Sequence, residues 1–196
     1  IVKARHRNDG AFSEELQRCK EDFVYFVNTY CMTYDPRPEA SPNIIPFKLY
    51  PFQVALANQL VSGYRAGKFD EFIEKSRDMG VSWLMLAFLV WCWRFSEGFQ
   101  ALIGSRVEDL VDNWEPDSMF WKIEAVLGIV DGSPGLPQYL FDRDALGWDP
   151  VKHDRKLGLA YPGSTKFIKG SATTMKAGSG TRALFVALAP VQERRD

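Results

Sequence analysis

The sequence predicts an α/β domain in which a mostly parallel sheet is flanked by helices. Buried-strand runs occur at 99–105 and 183–188, and shorter strand patterns occur at 157–161 and 165–170. Helical segments separate the two buried runs, and this alternation is typical of parallel strands joined by crossover connections. The chain has 196 residues, of which 46% are apolar and 14% aromatic. It can therefore fill one substantial core.

Charge and composition narrow the functional classes. The net charge of −1 gives no global attraction to nucleic acid, so any DNA contact must come from local patches. Two histidines are too few for a metal site. Three cysteines lack metal-ligand spacing, and we expect buried free thiols in a reducing compartment. These cysteines are Cys19, Cys31 and Cys92. The sequence starts without Met and ends on charged residues, so we expect a fragment of a longer protein.

The first part of the chain predicts a helical extension. Ser13 can cap a helix that runs to about Tyr34, after a basic segment at 1–11 that we expect to be frayed. The stretch 35–46 holds four prolines, which indicates a linker and a boundary near residue 40. We therefore predict two units: an N-terminal helical extension at 1–40 and a core at 41–196.

A second helix is predicted to start at Pro51, a residue that suits the first turn, and to stop near Gly67. Gln53 lies in that first turn, directly after aromatic residues. An aromatic ring can stack on an adenine while the glutamine amide offers a donor and an acceptor to the base edge. The alternative is a hydrophobic contact at the helix start, with the glutamine exposed to solvent.

The later segments add two helices and a lysine-bearing loop. Helical patterns at 106–113 and 119–130 are followed by a turn cluster at 131–137. Lys169 and Lys176 flank a loop of small polar residues, where they can contact DNA phosphates or simply face solvent.

The centre of the chain is a polar turn between a strand-like segment at 72–75 and an apolar run at 83–93. The run is too short to span a membrane, which needs about 20 residues, so it predicts a central core helix. Compared with the phosphate-loop consensus G-x-x-x-x-G-K-[ST], the turn matches at Gly80 and Ser82. Lys75 replaces the first glycine and Val81 replaces the lysine. The turn is either a phosphate-binding loop whose cation comes from upstream, or a plain connection into the core helix.

Four motifs in order resemble one protein family. They are F-K-L-Y-P-F-Q at 47–53, K-S-R-D-M-G-V-S-W at 75–83, G-S-R at 104–106 and G-S-G-T-R at 178–182. From about residue 47 to 191 the chain resembles the N-terminal ATPase domain of the large terminase subunit of tailed bacteriophages. The resemblance implies a P-loop NTPase fold of the RecA/ASCE type. It also implies that Lys75 or Arg77 is the early loop cation.

The resemblance assigns roles to individual residues. Gln53 would contact the adenine of ATP, with Tyr50 or Phe52 flanking the base, and Ser82 would bind Mg²⁺. Lys75 and Arg77 would be the catalytic cations. The residues that would wrap the triphosphate are Lys75, Ser76, Arg77, Asp78, Met79, Gly80, Val81 and Ser82. Arg106 and Arg182 are candidates for an arginine that acts on a neighbouring subunit.

The implied activity is ATP hydrolysis coupled to movement of double-stranded DNA into the procapsid. The implied partners are the portal protein and the small terminase subunit, in a homo-oligomeric ring in the host cytoplasm, with a possible monomer in isolation. The family's Asp-Glu pair is expected at 187–188, yet the sequence has Ala187 and Leu188 there. Hydrolysis is therefore expected to be impaired. We expect the family's coupling motif and C-terminal nuclease domain to lie beyond residue 196 or to be absent. The rival functions are a helicase-like translocating ATPase and a degenerate docking module.

Overall fold

The computed structural model describes residues 2–35, 37, 43–67, 72–76, 79–172 and 184–187, with side chains from residue 11 onward except at 184–187. The helices are α1 (Val2–Glu21), α2 (Phe23–Tyr30), α3 (Pro51–Arg65), α4 (Val81–Phe95), α5 (Met119–Leu127) and α6 (Pro150–His153). The strands are β1 (Met32–Tyr34), β2 (Ile44–Pro46), β3 (Gln100–Ser105), β4 (Asp154–Arg155), β5 (Gly158–Ala160), β6 (Phe167–Ala172) and β7 (Leu184–Ala187). The fold is mixed α/β, as predicted.

A five-stranded sheet has the strand order β4-β5-β6-β3-β7. β3 pairs in parallel with β6 and β7, so the predicted parallel strands are confirmed. β5 pairs antiparallel with both β4 and β6. The sheet is thus mixed rather than mostly parallel. The reason is the connection between β4 and β5, which consists of Lys156 and Leu157 alone and is too short to join parallel strands.

Helix α4 is the centre of the core. All its residues from Trp83 to Trp93 are buried, which confirms the prediction of a core helix covered on every side. The core includes one face of the sheet, through Ala101, Ile103 and Ile168. It also includes α1 and α2, since the Trp91 Nε1 donates to the Cys19 carbonyl oxygen at 2.8 Å. The division of the chain at residue 40 stays a prediction.

The N-terminal helix prediction is wrong in its extent. α1 reaches back to Val2, where a frayed segment was expected. The helical path then breaks at Asp22, whose carboxylate accepts from the Tyr25 N–H at 2.8 Å and caps α2. After α2 the chain forms β1, which pairs antiparallel with β2. The proline-rich stretch 35–46 therefore includes β2 and lies between two paired strands.

Of the other predicted elements, several are confirmed and one helix is wrong. α3, β3, α5 and β5 lie where the sequence predicts them. The helix predicted at 106–113 is wrong, because only Glu108–Leu110 forms a single 3-10 turn there. Asp112 leaves the helical pattern and accepts from the Leu157 N–H at 2.6 Å. Among the residues that the structure describes, no helix is long and apolar enough to cross a membrane.

Candidate functional site

The start of α4 lies toward the carboxyl end of the parallel strands. Near the C-terminal end of α4, the Arg94 carbonyl oxygen accepts a hydrogen bond from the Lys166 Nζ at 3.3 Å. Lys166 directly precedes the first residue of β6. At the beginning of α4, the Trp83 ring lies 6.4 Å from the ring of Trp121, in the first turn of α5, which follows β3. Helix α4 therefore runs antiparallel to β3 and β6. In α/β folds, ligands bind at this edge of the sheet.

Gly80 caps α4 in a backbone conformation that favours glycine. Its φ is +65°, in the left-handed region. A Cβ at this position would lie 2.6 Å from the Gln53 Nε2 and 3.6 Å from the Phe47 ring. Glycine is thus favoured both by the φ of the turn and by the close approach of Gln53 from α3. The predicted glycine-dependent turn into the core helix is present.

Gln53 joins α3 to this turn. Its side-chain Nε2 donates to the Met79 carbonyl oxygen at 2.8 Å, and its Oε1 accepts from the Tyr50 N–H at 2.8 Å. Gln53 is only 1% exposed, so the alternative of a solvent-exposed glutamine is wrong. The amide retains one N–H and one lone pair beyond these two bonds. Contact with a base would need this side chain to become accessible.

Tyr50 and Phe52 form an exposed aromatic pair beside Gln53. Their ring centroids are 6.1 Å apart, and the ring planes differ by 6°. Tyr50 is 66% exposed and Phe52 is 44% exposed. Exposed stacked rings of this kind offer a flat surface for a planar ligand. The two predicted base-flanking residues thus lie together, next to the residue that contacts the turn.

The approach to the turn differs from prediction. The described residues 72–76 form no strand, and Phe72 is 92% exposed, so the strand-like segment predicted at 72–75 is wrong. Two apolar residues between charged neighbours are too few to be buried as a sheet strand. Lys75 and Ser82 are half-buried and Ser76 is exposed. Arg77 and Asp78 lie outside the described residues.

A further cation lies by the first turn of α4. The Lys122 Nζ is 6.0 Å from the centroid of the Trp83 ring. It donates to the carbonyl oxygens of Asp117 at 2.6 Å and Ser118 at 3.1 Å. Burial lowers the pKa of Lys122 to about 8, and Asp117 partly opposes this effect. No motif in the sequence pointed to Lys122, because its position follows from the packing of α5 on α4.

The structure describes two of the remaining predicted residues, Arg106 and Lys169. Arg106 is exposed just after β3. Lys169 is on the face of the sheet opposite α4, since its β3 partner Leu102 is outside the core that α4 forms. Lys176 and Arg182 lie outside the described residues. β7 spans Leu184–Ala187, which confirms the predicted strand, and the sequence has no acid at its described carboxyl end.

Sequence reasoning missed a buried group of three carboxyl side chains. Asp112 and Glu124 are 3% and 4% exposed, and Asp154 is half-buried at the start of β4. Burial, and then the charges of Asp154 and Asp112, raise the pKa of Glu124 to about 8. Burial and Asp112 raise the pKa of Asp154 to about 6. These acids are far apart in sequence, so no spacing rule could have found them. Within the described residues, no group of acids, histidines and cysteines has the arrangement of a metal site.

The sequence was also compared with known proteins. No protein-family model matches this chain, and no curated protein matches it significantly.

Proposed function

We propose that the chain is a nucleotide-binding ATPase domain of the kind found in viral DNA-packaging motors. In this proposal, ATP and Mg²⁺ bind at the start of α4, and hydrolysis is coupled to movement of double-stranded DNA into a procapsid. The partners would be the portal protein and the small terminase subunit, in a ring of subunits in the host cytoplasm. A helicase-like translocating ATPase is the closest variant of this proposal.

One observation carries the nucleotide site. The buried Gln53 bonds to the turn that precedes α4, and the exposed Tyr50–Phe52 pair lies on the same helix start. A base-stacking surface is thus fixed to a helix N-terminus, whose free N–H groups and positive dipole end favour phosphate. The position toward the carboxyl end of β3 and β6 supports the same interpretation. The DNA-packaging part of the proposal is supported by the sequence motifs alone.

Three cations are available for the triphosphate in this proposal. Lys75 and Arg77 precede the glycine, and Lys122 approaches from α5. A phosphate loop needs one such cation near the β and γ oxygens, in addition to the backbone N–H groups. The hydroxyl of Ser82, in the first turn of α4, would bind Mg²⁺.

The strand end at Ala187 favours a second candidate function. A water molecule that attacks the γ-phosphate needs a carboxylate or a similar group to orient it. β7 is parallel to β3, and no acid stands at its described carboxyl end. A module that binds nucleotide without hydrolysing it is therefore the alternative.

A titration with Mg-ATP tests the nucleotide site. We expect the wild type to bind. We also expect at least one of three variants to bind more weakly, and these are Lys75→Ala, Arg77→Ala and Lys122→Ala. Loss of a charge-assisted contact should weaken binding about tenfold. Lys20→Ala, an exposed lysine of α1, is the matched control and should bind like the wild type. The site is refuted when wild type fails to bind, or when none of the three variants weakens binding.

A hydrolysis assay separates the two candidate functions. We expect the motor domain to release phosphate from ATP, and to do so faster when double-stranded DNA is added. Binding of Mg-ATP without phosphate release would instead identify the non-hydrolysing module. Both outcomes presuppose nucleotide binding, so they are read only after the titration.

A further inference from the structure

The outer face of the sheet carries a cavity that the proposed nucleotide site does not use. Its volume is about 370 Å³, and it lies across β4, β5 and β6. Its lining residues are Lys152, Arg155, Lys156, Leu157, Gly158, Leu159, Ala160, Phe167, Ile168 and Lys169. Four of the described lining residues are basic and none is acidic. The cavity is therefore a basic groove with an apolar floor.

The strand register explains the shape of this groove. Gly158 pairs with Arg155 on one side and with Lys169 on the other. Residues paired across strands share a face of the sheet, so the three form one row with glycine in the middle. Adjacent strands are roughly 4.8 Å apart, which places the two basic residues roughly 10 Å from each other. The row forms a slot above Gly158, which has no side chain, with the cations of Arg155 and Lys169 on either side.

The space above Gly158 is open. A Cβ built on Gly158 would meet only the Arg155 carbonyl oxygen, at 4.0 Å. The next row on the same face pairs Ala160 with Phe167, which adds an apolar surface beside the slot. The two rows are two residues apart along the strands, or roughly 6.6 Å. An extended peptide has the same spacing between its side chains i and i+2.

The charges at the rim favour a compact carboxylate ligand over a nucleic-acid strand. Lys152 pairs with Asp149 at 3.2 Å and Lys156 pairs with Glu108 at 2.8 Å, so acids border the groove. These acids would repel the phosphates of a strand that continued beyond the slot. Lys169 is exposed and has no ion pair among the described residues. Its charge, and that of Arg155, are available inside the groove.

We propose that this groove binds an acidic peptide segment of a partner protein. A glutamate or aspartate would lie between Arg155 and Lys169, above Gly158. An apolar side chain two positions further along the peptide would lie on Ala160 and Phe167. Charge-assisted bonds to the carboxylate would give the affinity, and the apolar contact would fix the register.

A fluorescent peptide tests this proposal. The probe is a short acetylated peptide with a pair of glutamates, the second of which lies two positions before a leucine. We expect saturable binding to the wild type, measured by anisotropy, that weakens as salt is raised. Lys169→Glu should weaken binding about tenfold or more, because it places a like charge in the slot. Gly158→Val should do the same by filling the slot. The exposed Lys20→Glu is the matched control for charge and should bind like wild type.

Four outcomes would overturn the proposal. They are no binding of the peptide to the wild type, equal binding of a peptide with glutamines in place of glutamates, full binding by Lys169→Glu, and tighter binding of an oligothymidine strand than of the acidic peptide. Thermal melts of each variant show that it is folded, and Lys169→Glu alters only an exposed side chain. The Mg-ATP titration does not involve this groove, so either proposal can fail without the other.

Discussion

Replacing Glu124 by glutamine should remove a loss of stability that develops as the pH rises. Glu124 is 4% exposed on α5, and the charges of Asp154 and Asp112 add to its burial. Together they raise its pKa from 4.5 to about 8. A carboxyl group whose pKa is raised by folding stabilises the fold fully at a pH below the unfolded value. That contribution is lost progressively as the pH rises above the unfolded pKa, and the loss is complete once the pH has passed through the folded pKa.

The expected magnitude follows from the size of this shift. Each pKa unit corresponds to about 1.4 kcal/mol, so the loss should reach on the order of 3 kcal/mol by pH 7 and 4 kcal/mol by pH 8. Glutamine has nearly the same shape and does not ionise. Glu124→Gln should therefore lie within about 1 kcal/mol of wild type near pH 5 and exceed it by more at pH 8. Asp154, whose pKa is raised to about 6, should leave a smaller pH dependence in the variant.

Urea denaturation at pH 5 and pH 8 measures these free energies of unfolding. Glu14→Gln is the matched control, because Glu14 is exposed on α1 and its replacement should leave the pH dependence unchanged. The reasoning is refuted if wild type is equally stable at both pH values. It is also refuted if Glu124→Gln gives no gain at pH 8.

Three more predictions concern the glycines and the thiols. Gly80→Ala should destabilise the protein by about 1–3 kcal/mol in denaturation experiments, since it adds strain at φ +65° and a contact of 2.6 Å with Gln53. An unchanged midpoint would contradict the turn geometry. Gly170→Ala should cost about 1–3 kcal/mol, because its Cβ would meet three side chains at 2.8–2.9 Å, whereas Gly158→Ala, in open space, should be nearly neutral. Equal effects would refute that contrast. Thiol titration with a disulfide reagent should detect no reactive cysteine until urea is added, because burial raises the pKa of all three thiols and excludes the reagent. Fast reaction in native buffer would show that a thiol is accessible. The thiols are Cys19, Cys31 and Cys92.

Local patterns were enough to place most elements. Pro51 and Gly67 bound α3, and the run of apolar residues in α4 could only be a core helix. The failures occur where one side chain competes with the regular pattern. Asp22 interrupts a continuous helical pattern by capping α2. Asp112 lies in a predicted helix that does not form, and it accepts a hydrogen bond from the Leu157 N–H instead. Whether such an aspartate continues a helix or bonds a backbone N–H depends on the tertiary structure around it. The periodicity of apolar residues carries no information about that structure.

The candidate nucleotide site was predictable in part. Gly80 was correctly singled out, since glycine adopts the positive φ at the entrance to α4 without strain. The contact of Gln53 with the turn was not, because it depends on how α3 packs against α4 across an intervening stretch of chain. The same holds for Lys122, which reaches Trp83 only through helix packing. The motif thus identified the residue types of the site, but it did not predict which of the side chains are accessible to a ligand.

Burial of Gln53 has a consequence for how a ligand would be recognised. The side chain holds the backbone of Tyr50 and the carbonyl group of Met79 at once, so it fixes the aromatic pair relative to the start of α4. Replacing it would free both segments, and a loss of binding in such a variant would not show direct contact with a base. Tyr50→Ala removes an exposed ring and leaves both bonds of Gln53 in place, because one uses the Tyr50 backbone N–H and the other uses the Met79 carbonyl oxygen. A stacking role therefore has to be tested at Tyr50 and Phe52, and not at the glutamine that positions them.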